Sequence, residues 1–174
     1  GHIRFTDIKP QDIAYLPQSS EVDRSFPISV LDFAALGLWR GIGMFKGLSP
    51  IHIERVKEAL ATVSLSELAH RPISTLSGGQ FQRALFARMI LQDAQVLLLD
   101  EPFTALDMKT TTDLLRVIKH WHHEKRTIIA ILHDIDLVRE HFPETLLLAR
   151  SAVAWGGSDT VLTPSNLLQA RHMC

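Results

Sequence analysis

The sequence predicts an α/β fold, a mainly parallel sheet flanked by helices with a helical insert between its strands. Three stretches carry that prediction. Val96-Leu97-Leu98-Leu99 and Thr127–Leu132 are short, unbroken apolar runs, the pattern of interior parallel strands covered on both faces. Each ends abruptly in polar residues, Asp100-Glu101 after the first and His133-Asp134 after the second. The third stretch, Leu76-Ser77-Gly78-Gly79-Gln80, reads as a glycine loop opening a helix. Ser77 can cap that helix, and two glycines leave the first backbone N–H groups bare, a ready site for a phosphate. Open α/β sheets place their chemistry at the carboxyl ends of their strands. One element thus offers an anion site and the other offers metal-binding and basic oxygens, and phosphoryl transfer from a nucleotide needs both.

Bulk composition narrows the class. A chain of 174 residues with 46% hydrophobic and 21% charged residues is ordinary for one globular domain. A net charge of −1 gives no reason to expect a nucleic-acid partner. The single cysteine, Cys174, rules out a disulfide framework within the chain and suits a reducing cytosol. Ile128-Ile129-Ala130-Ile131-Leu132 is among the longest apolar runs and falls far short of a membrane span. No signal-peptide pattern is present. Gly1-His2 is not an initiator start and reads as a tag remnant or a trimmed end.

Taken in order, Ile3–Phe5 alternates weakly and Ile13-Ala14-Tyr15-Leu16 alternates better, so two strands are expected, the second ended by Pro17-Gln18. Ser19–Ser29 is polar and irregular. Val30–Leu36 reads as a helix capped by Ser29. Gly37, Gly41, Gly43 and Gly47 then punctuate a loop that carries Leu38, Trp39, Met44 and Phe45. Such residues either fold back on the local core or mark an interface. Ser49-Pro50 opens a helix whose Ile53, Val56, Leu60 and Val63 share one face. A second helical segment is expected over Leu65–His70. The helix from Gln80 is apolar nearly all round through Phe81, Ala84, Leu85, Ala87, Met89 and Leu91, so burial is expected. Asp107 fits the N-cap of a helix bearing Leu114, Ile118 and Trp121 and ending in His120-Trp121-His122-His123. Those histidines suit either a metal or simply the helix C-terminus. A helix over Ile135–His141, strands at Leu146–Ala149 and Ala152–Trp155, and a short helix opened by Thr163-Pro164-Ser165 complete the chain.

Leu76-Ser77-Gly78-Gly79-Gln80, continued by Gln82-Arg83, resembles the signature motif of the ATP-binding cassette (ABC) family, and Leu99-Asp100-Glu101-Pro102 resembles its Walker B motif. The order of the other motifs matches too. Gln18 takes the place of the Q-loop glutamine, Thr104-Ala105-Leu106-Asp107 resembles the D-loop, and His133 stands at the H-loop position. The resemblance implies a P-loop NTPase-like cassette with residues 1–29 and 76–174 as a RecA-like core and 30–75 as a helical subdomain. It implies ATP and Mg2+ as ligands. Asp100 would hold the Mg2+ shell with Gln18, and Glu101 would be the general base. His133 would fix the γ-phosphate. Ser77, Gly78, Gly79 and Gln80, with Asp107, would serve a nucleotide held by a second copy. The implied partners are a membrane permease subunit, that second copy, and indirectly a solute-binding protein. The implied location is the cytoplasmic face of the cell membrane. Ser20-Glu21-Val22-Asp23, followed by Ser25-Phe26-Pro27-Ile28-Ser29-Val30-Leu31-Asp32, looks like cassettes of manganese, zinc or iron importers.

One departure is large. The resemblance calls for a phosphate loop, Walker A, of the form G-x-x-x-x-G-K-S/T, and the 174 residues contain none; Gly41-Ile42-Gly43-Met44-Phe45-Lys46-Gly47 does not fit. The expectation is a cassette without its front portion, inactive by itself. A soluble ABC protein acting on ribosomes or DNA, and a remnant that only binds a partner, remain as alternatives.

Overall fold

The computed structural model describes residues 2, 4, 6, 8–43 and 47–173. The strand expected at Ile3–Phe5 rests on residues outside these, as do Met44 and Phe45. The chain forms two compact units, residues 1–131 and 132–174.

In the first unit, β1 (Ile13–Leu16), β2 (Val96–Asp100) and β3 (Thr127–Ile131) form a parallel sheet in the order β1-β2-β3. Ile13 pairs with Val96 and Leu16 with Leu99, while Asp100 pairs with Ile131. Between β1 and β2 come α1 (Val30–Ala35), α2 (Trp39–Ile42), α3 (Pro50–Thr62) and α4 (Gly78–Gln92); α5 (Met108–His123) joins β2 to β3. Parallel neighbours need such crossovers. α4 is the centre of the packing, with Phe81, Ala84, Leu85, Phe86, Ala87 and Met89 all buried among α1, α3 and β1. Phe81 tilts against Phe33 at 5.5 Å, and Phe86 stacks on Trp121 at 5.9 Å.

The expected caps form. The Ser29 hydroxyl accepts from the Asp32 N–H, and α3 starts at Pro50 after Ser49. Two expectations are corrected. The glycine-punctuated stretch after residue 36 is not a plain loop: Leu36–Leu38 forms a 3-10 turn and Trp39–Ile42 a helical turn. Gly37 is there for close packing, since a Cβ would lie 2.2 Å from the Arg88 carbonyl oxygen. Leu38 folds into the core while Trp39 stays half exposed. The segment after Leu65 is a single 3-10 turn at Ser66–Leu68 rather than a second helix.

The expectation of strands buried on both faces is also corrected. Ala14, Leu16, Leu97 and Leu99 point into the core. The alternate residues point the other way, and Ile129 and Ile131 are 57% and 54% exposed. The helices of this unit cover one side of the sheet, so an unbroken apolar run here has only half its side chains packed.

The second unit holds α6 (Ile135–His141), the antiparallel pair β4 (Glu144–Leu148) and β5 (Ala152–Gly157), α7 (Ser158–Val161) and α8 (Pro164–Met173). Leu146 opposes Trp155 across the pair, and both are exposed. Among the described residues, no helix is long and apolar enough to cross a membrane.

Candidate functional site

Parallel register sets the first cluster. Leu16 and Leu99 pair, so Pro17-Gln18 and Asp100-Glu101 leave the sheet at the same, carboxyl end of the strands. The Gln18 Nε2 donates to Glu101 Oε2 at 2.9 Å, and the Thr104 hydroxyl donates to the same oxygen at 3.0 Å. Glu101 has left-handed backbone, φ 45°, which costs a non-glycine residue on the order of 1 kcal/mol. The Glu101 N–H donates to the Ile131 carbonyl at 3.2 Å, so the neighbouring strand holds this turn. Asp100, still inside β2, accepts a hydrogen bond from the Tyr15 hydroxyl at 3.1 Å. That bond, followed by burial and the nearby negative charge of Asp100, pushes the Tyr15 phenol up from its ordinary value. Sequence reading missed Tyr15. The signal was available in the alternation of β1, which puts a phenol on the face that Asp100 shares.

The second cluster is the start of α4. The Ser77 hydroxyl accepts from the Gln80 N–H at 3.3 Å, and the Gln80 side-chain oxygen accepts from the Ser77 N–H at 2.9 Å. This reciprocal box occupies the Gln80 side chain. A Cβ on Gly78 would meet nothing within 4 Å among the described residues, so packing against them does not require a glycine there. At Gly79 it would touch Leu106 at 3.5 Å.

Gln82 and Arg83 tie α4 to the loops after β2. The buried Gln82 side chain donates to the Pro102 carbonyl at 3.0 Å, directly beside Glu101. Arg83 donates to the Thr110 hydroxyl at 2.9 Å and to the Val63 carbonyl at 3.2 Å, and pairs with Asp113 at 3.6 Å. Thr110 gives its N–H and its hydroxyl to Asp107 at 2.8 and 3.0 Å. These two bonds, with smaller contributions from the Lys109 N–H and Arg83, hold the Asp107 carboxyl below the usual carboxylate range. Asp107 is therefore the N-cap of α5, as its spacing predicts.

His133 lies two residues beyond β3, in the segment that opens the second unit; Asp134 follows it as the N-cap of α6. His120, His122 and His123 sit in the last turn of α5, with His120 3.4 Å from Glu124. No metal-holding group of three or more His, Cys, Asp or Glu side chains occurs among the described residues.

A parallel sheet packed on helices, with carboxylates at its strand ends and a glycine-opened helix start, is the architecture of a nucleotide-binding α/β protein. The family profile described as ABC transporter matches residues 3–104, and the chain belongs to that family. It is 36% identical over 155 residues to the manganese transport system ATP-binding protein MntB of Listeria monocytogenes, covering 89% of this chain and 65% of that protein. It is 36% identical over 159 residues to the manganese transport system ATP-binding protein MntA of Synechocystis, covering 91% and 61%. Among solved structures, an inward-facing ABC transporter assigned to the metal-chelate type superposes with a TM-score of 0.81 at 29% identity, covering 92% of this chain and 63% of that one. An ATP-binding cassette in its ADP conformation superposes at 0.73 with 17% identity, covering 96% and 72%, a likeness of fold alone. The chain thus spans less than two thirds of the length of these curated relatives.

Proposed function

We propose that this chain belongs to the ATP-hydrolysing subunit of a metal-ion importer, with manganese, zinc or iron as the cargo. The observation that carries the proposal is the cluster of Gln18, Asp100 and Glu101 at the carboxyl end of a parallel sheet, with Glu101 Oε2 held by two side-chain donors. The donor set fits Mg2+, a hard cation that takes carboxylate and amide oxygens; the bare start of α4 fits a phosphate. Names of relatives such as the Listeria manganese transport protein support the cargo class.

In this reading Asp100 and the Gln18 side-chain oxygen would hold the metal shell, and Mg2+ when bound would neutralise charge on the nucleotide phosphates. The Glu101 carboxylate, aimed by Gln18 and Thr104 through Oε2, accepts the proton of the attacking water. His133 contacts the γ-phosphate. The Ser77 hydroxyl and the Gly78 and Gly79 amides donate to the γ-phosphate of ATP held by a second copy, next to Asp107. Residues 30–75 act as the helical subdomain between the two parts of a RecA-like core. The subunit sits on the inner face of the cell membrane against a permease, which a solute-binding protein serves from outside. The exposed Phe26 and Trp39 lie in the region expected to meet that permease.

Glu101→Gln in the full-length protein tests the proposal. It removes the base and keeps the phosphate contacts, so steady-state ATPase should vanish while ATP-driven dimerisation, read by sizing, persists. Turnover at the unsubstituted rate would overturn the role of Glu101.

A further inference from the structure

We propose that Arg24 is a positioning residue that fastens the segment after Gln18 to the start of α4, so that the two loops move as one. Arg24 is not part of any motif singled out in the sequence. It lies six residues after Gln18, in a stretch whose only regular structure is the 3-10 turn Ser19–Glu21. Its guanidinium grips α4 twice. The Nη2 donates to the carbonyl of Leu76, the residue just before the Ser77 cap. The guanidinium carbon also stands 4.7 Å over the centre of the Phe81 ring. A helix start satisfies N–H groups with its cap, but the Leu76 carbonyl lies outside that scheme and takes its donor from Arg24.

The grip is anchored in the core. Phe81 is fully buried and tilts against Phe33 of α1, and the Arg88 guanidinium stands 5.2 Å over the Phe33 ring. Arg24, Phe81, Phe33 and Arg88 therefore form a continuous cation–ring–ring–cation line through α4 and α1. The Arg24 Nε is itself buried, so the guanidinium is packed against α4 rather than extended into solvent. At the other end of the segment, the Glu21 N–H donates to the Gln18 carbonyl at 3.0 Å. The proposed link runs from Gln18 through this turn and the two residues after it to Arg24, and from Arg24 to Leu76 and the first turn of α4. The functional meaning rests on the proposed nucleotide roles of Gln18 and Ser77-Gly78-Gly79; the mechanical link does not.

The test is amide hydrogen exchange on the full-length protein, comparing Arg24→Met, which keeps the stem, with Arg24→Lys, which keeps a charge and a donor. The reporters are Gln80 and Phe81, whose N–H groups bond Ser77, and Glu21 at the far end. In Arg24→Met, exchange at both ends should rise about tenfold, the size of one charge-assisted hydrogen bond, while Leu97 and Leu99 in β2 stay unchanged. Arg24→Lys should restore most of the protection. No change in Arg24→Met, acceleration at only one end, or equal loss in Arg24→Lys would overturn the link. ATP turnover measured on the same samples separates the two proposals. Loosened exchange in a protein whose unsubstituted form hydrolyses no ATP would leave the link standing and sink the nucleotide reading.

Discussion

Tyr15 is the chain's only tyrosine, and it reports directly on Asp100. Its hydroxyl donates to the Asp100 carboxylate at 3.1 Å, and ionising the phenol would lose that bond and set two negative charges side by side. The phenol is therefore harder to ionise in the folded state than in the unfolded chain. A raised folded value means that the stabilisation is complete below the unfolded value of about 10 and is lost as pH rises through the folded one. Phenolate absorbance, free of any other tyrosine, should give a midpoint above the ordinary value in the folded chain and a return toward it in Asp100→Asn. A midpoint indifferent to Asp100→Asn would show that the contact is not made in solution. The Asp107 carboxyl shows the opposite sign. Thr110 holds it low, so its contribution to α5 is present above the unfolded carboxylate value and lost as pH falls through the folded one.

At the scale of elements, α4 is the member on which the others converge. Its burial was legible, because an all-round apolar helix with Ser77 at its start has few other places to go. So were β1, β2 and the caps at Ser29 and Asp107, each marked by a local rule of spacing or side-chain chemistry. The turns after Leu36 and the role of Gly37 were not legible, because they depend on which surface lies opposite. Glycine in sequence reads as freedom, whereas Gly37 is needed for its lack of a side chain against α4. Gly37→Ala would place a methyl 2.2 Å from the Arg88 carbonyl oxygen and 2.8 Å from the Leu91 Cβ. Neither backbone can yield cheaply, so a loss of about 1–3 kcal/mol is expected, the range for overpacked cores. Urea denaturation would measure it, and a neutral effect would mean that the turn backs away from α4 without cost. The contacts of Tyr15, Gln82 and Arg24 were not legible for a related reason. Their partners, Asp100, Pro102 and Leu76, are 85, 20 and 52 residues away in the chain, and no local periodicity encodes such contacts.

For the whole molecule, the apolar runs that predicted fully covered strands are half covered. β3 pairs with β2 alone among the described residues, and it presents Ile129 and Ile131 on the open face that Tyr15 shares. In the second unit, Leu146, Leu148 and Trp155 line an exposed face of the β4–β5 pair. An unpaired strand edge beside exposed apolar side chains is a template for pairing with another chain. The Listeria manganese transport protein extends beyond the 65% of its length matched here. A polypeptide of these 174 residues alone is therefore expected to self-associate through the β3 edge and to be less stable than the full-length protein. It should also bind Mg-ATP weakly and turn it over at background rates. The 174 residues contain no G-x-x-x-x-G-K-S/T run, and each preorganised donor missing from a charged transition state costs about 10² to 10³ in rate. Titration calorimetry and phosphate release check the chemistry: micromolar affinity with turnover would reveal a phosphate site built from other residues. Light scattering checks the association, and here the control is Ile129→Lys with Ile131→Glu. These positions are open to solvent, so the pair should leave the first unit folded while dispersing the oligomer. A compact monomer without the substitutions would show that the open face is no docking edge.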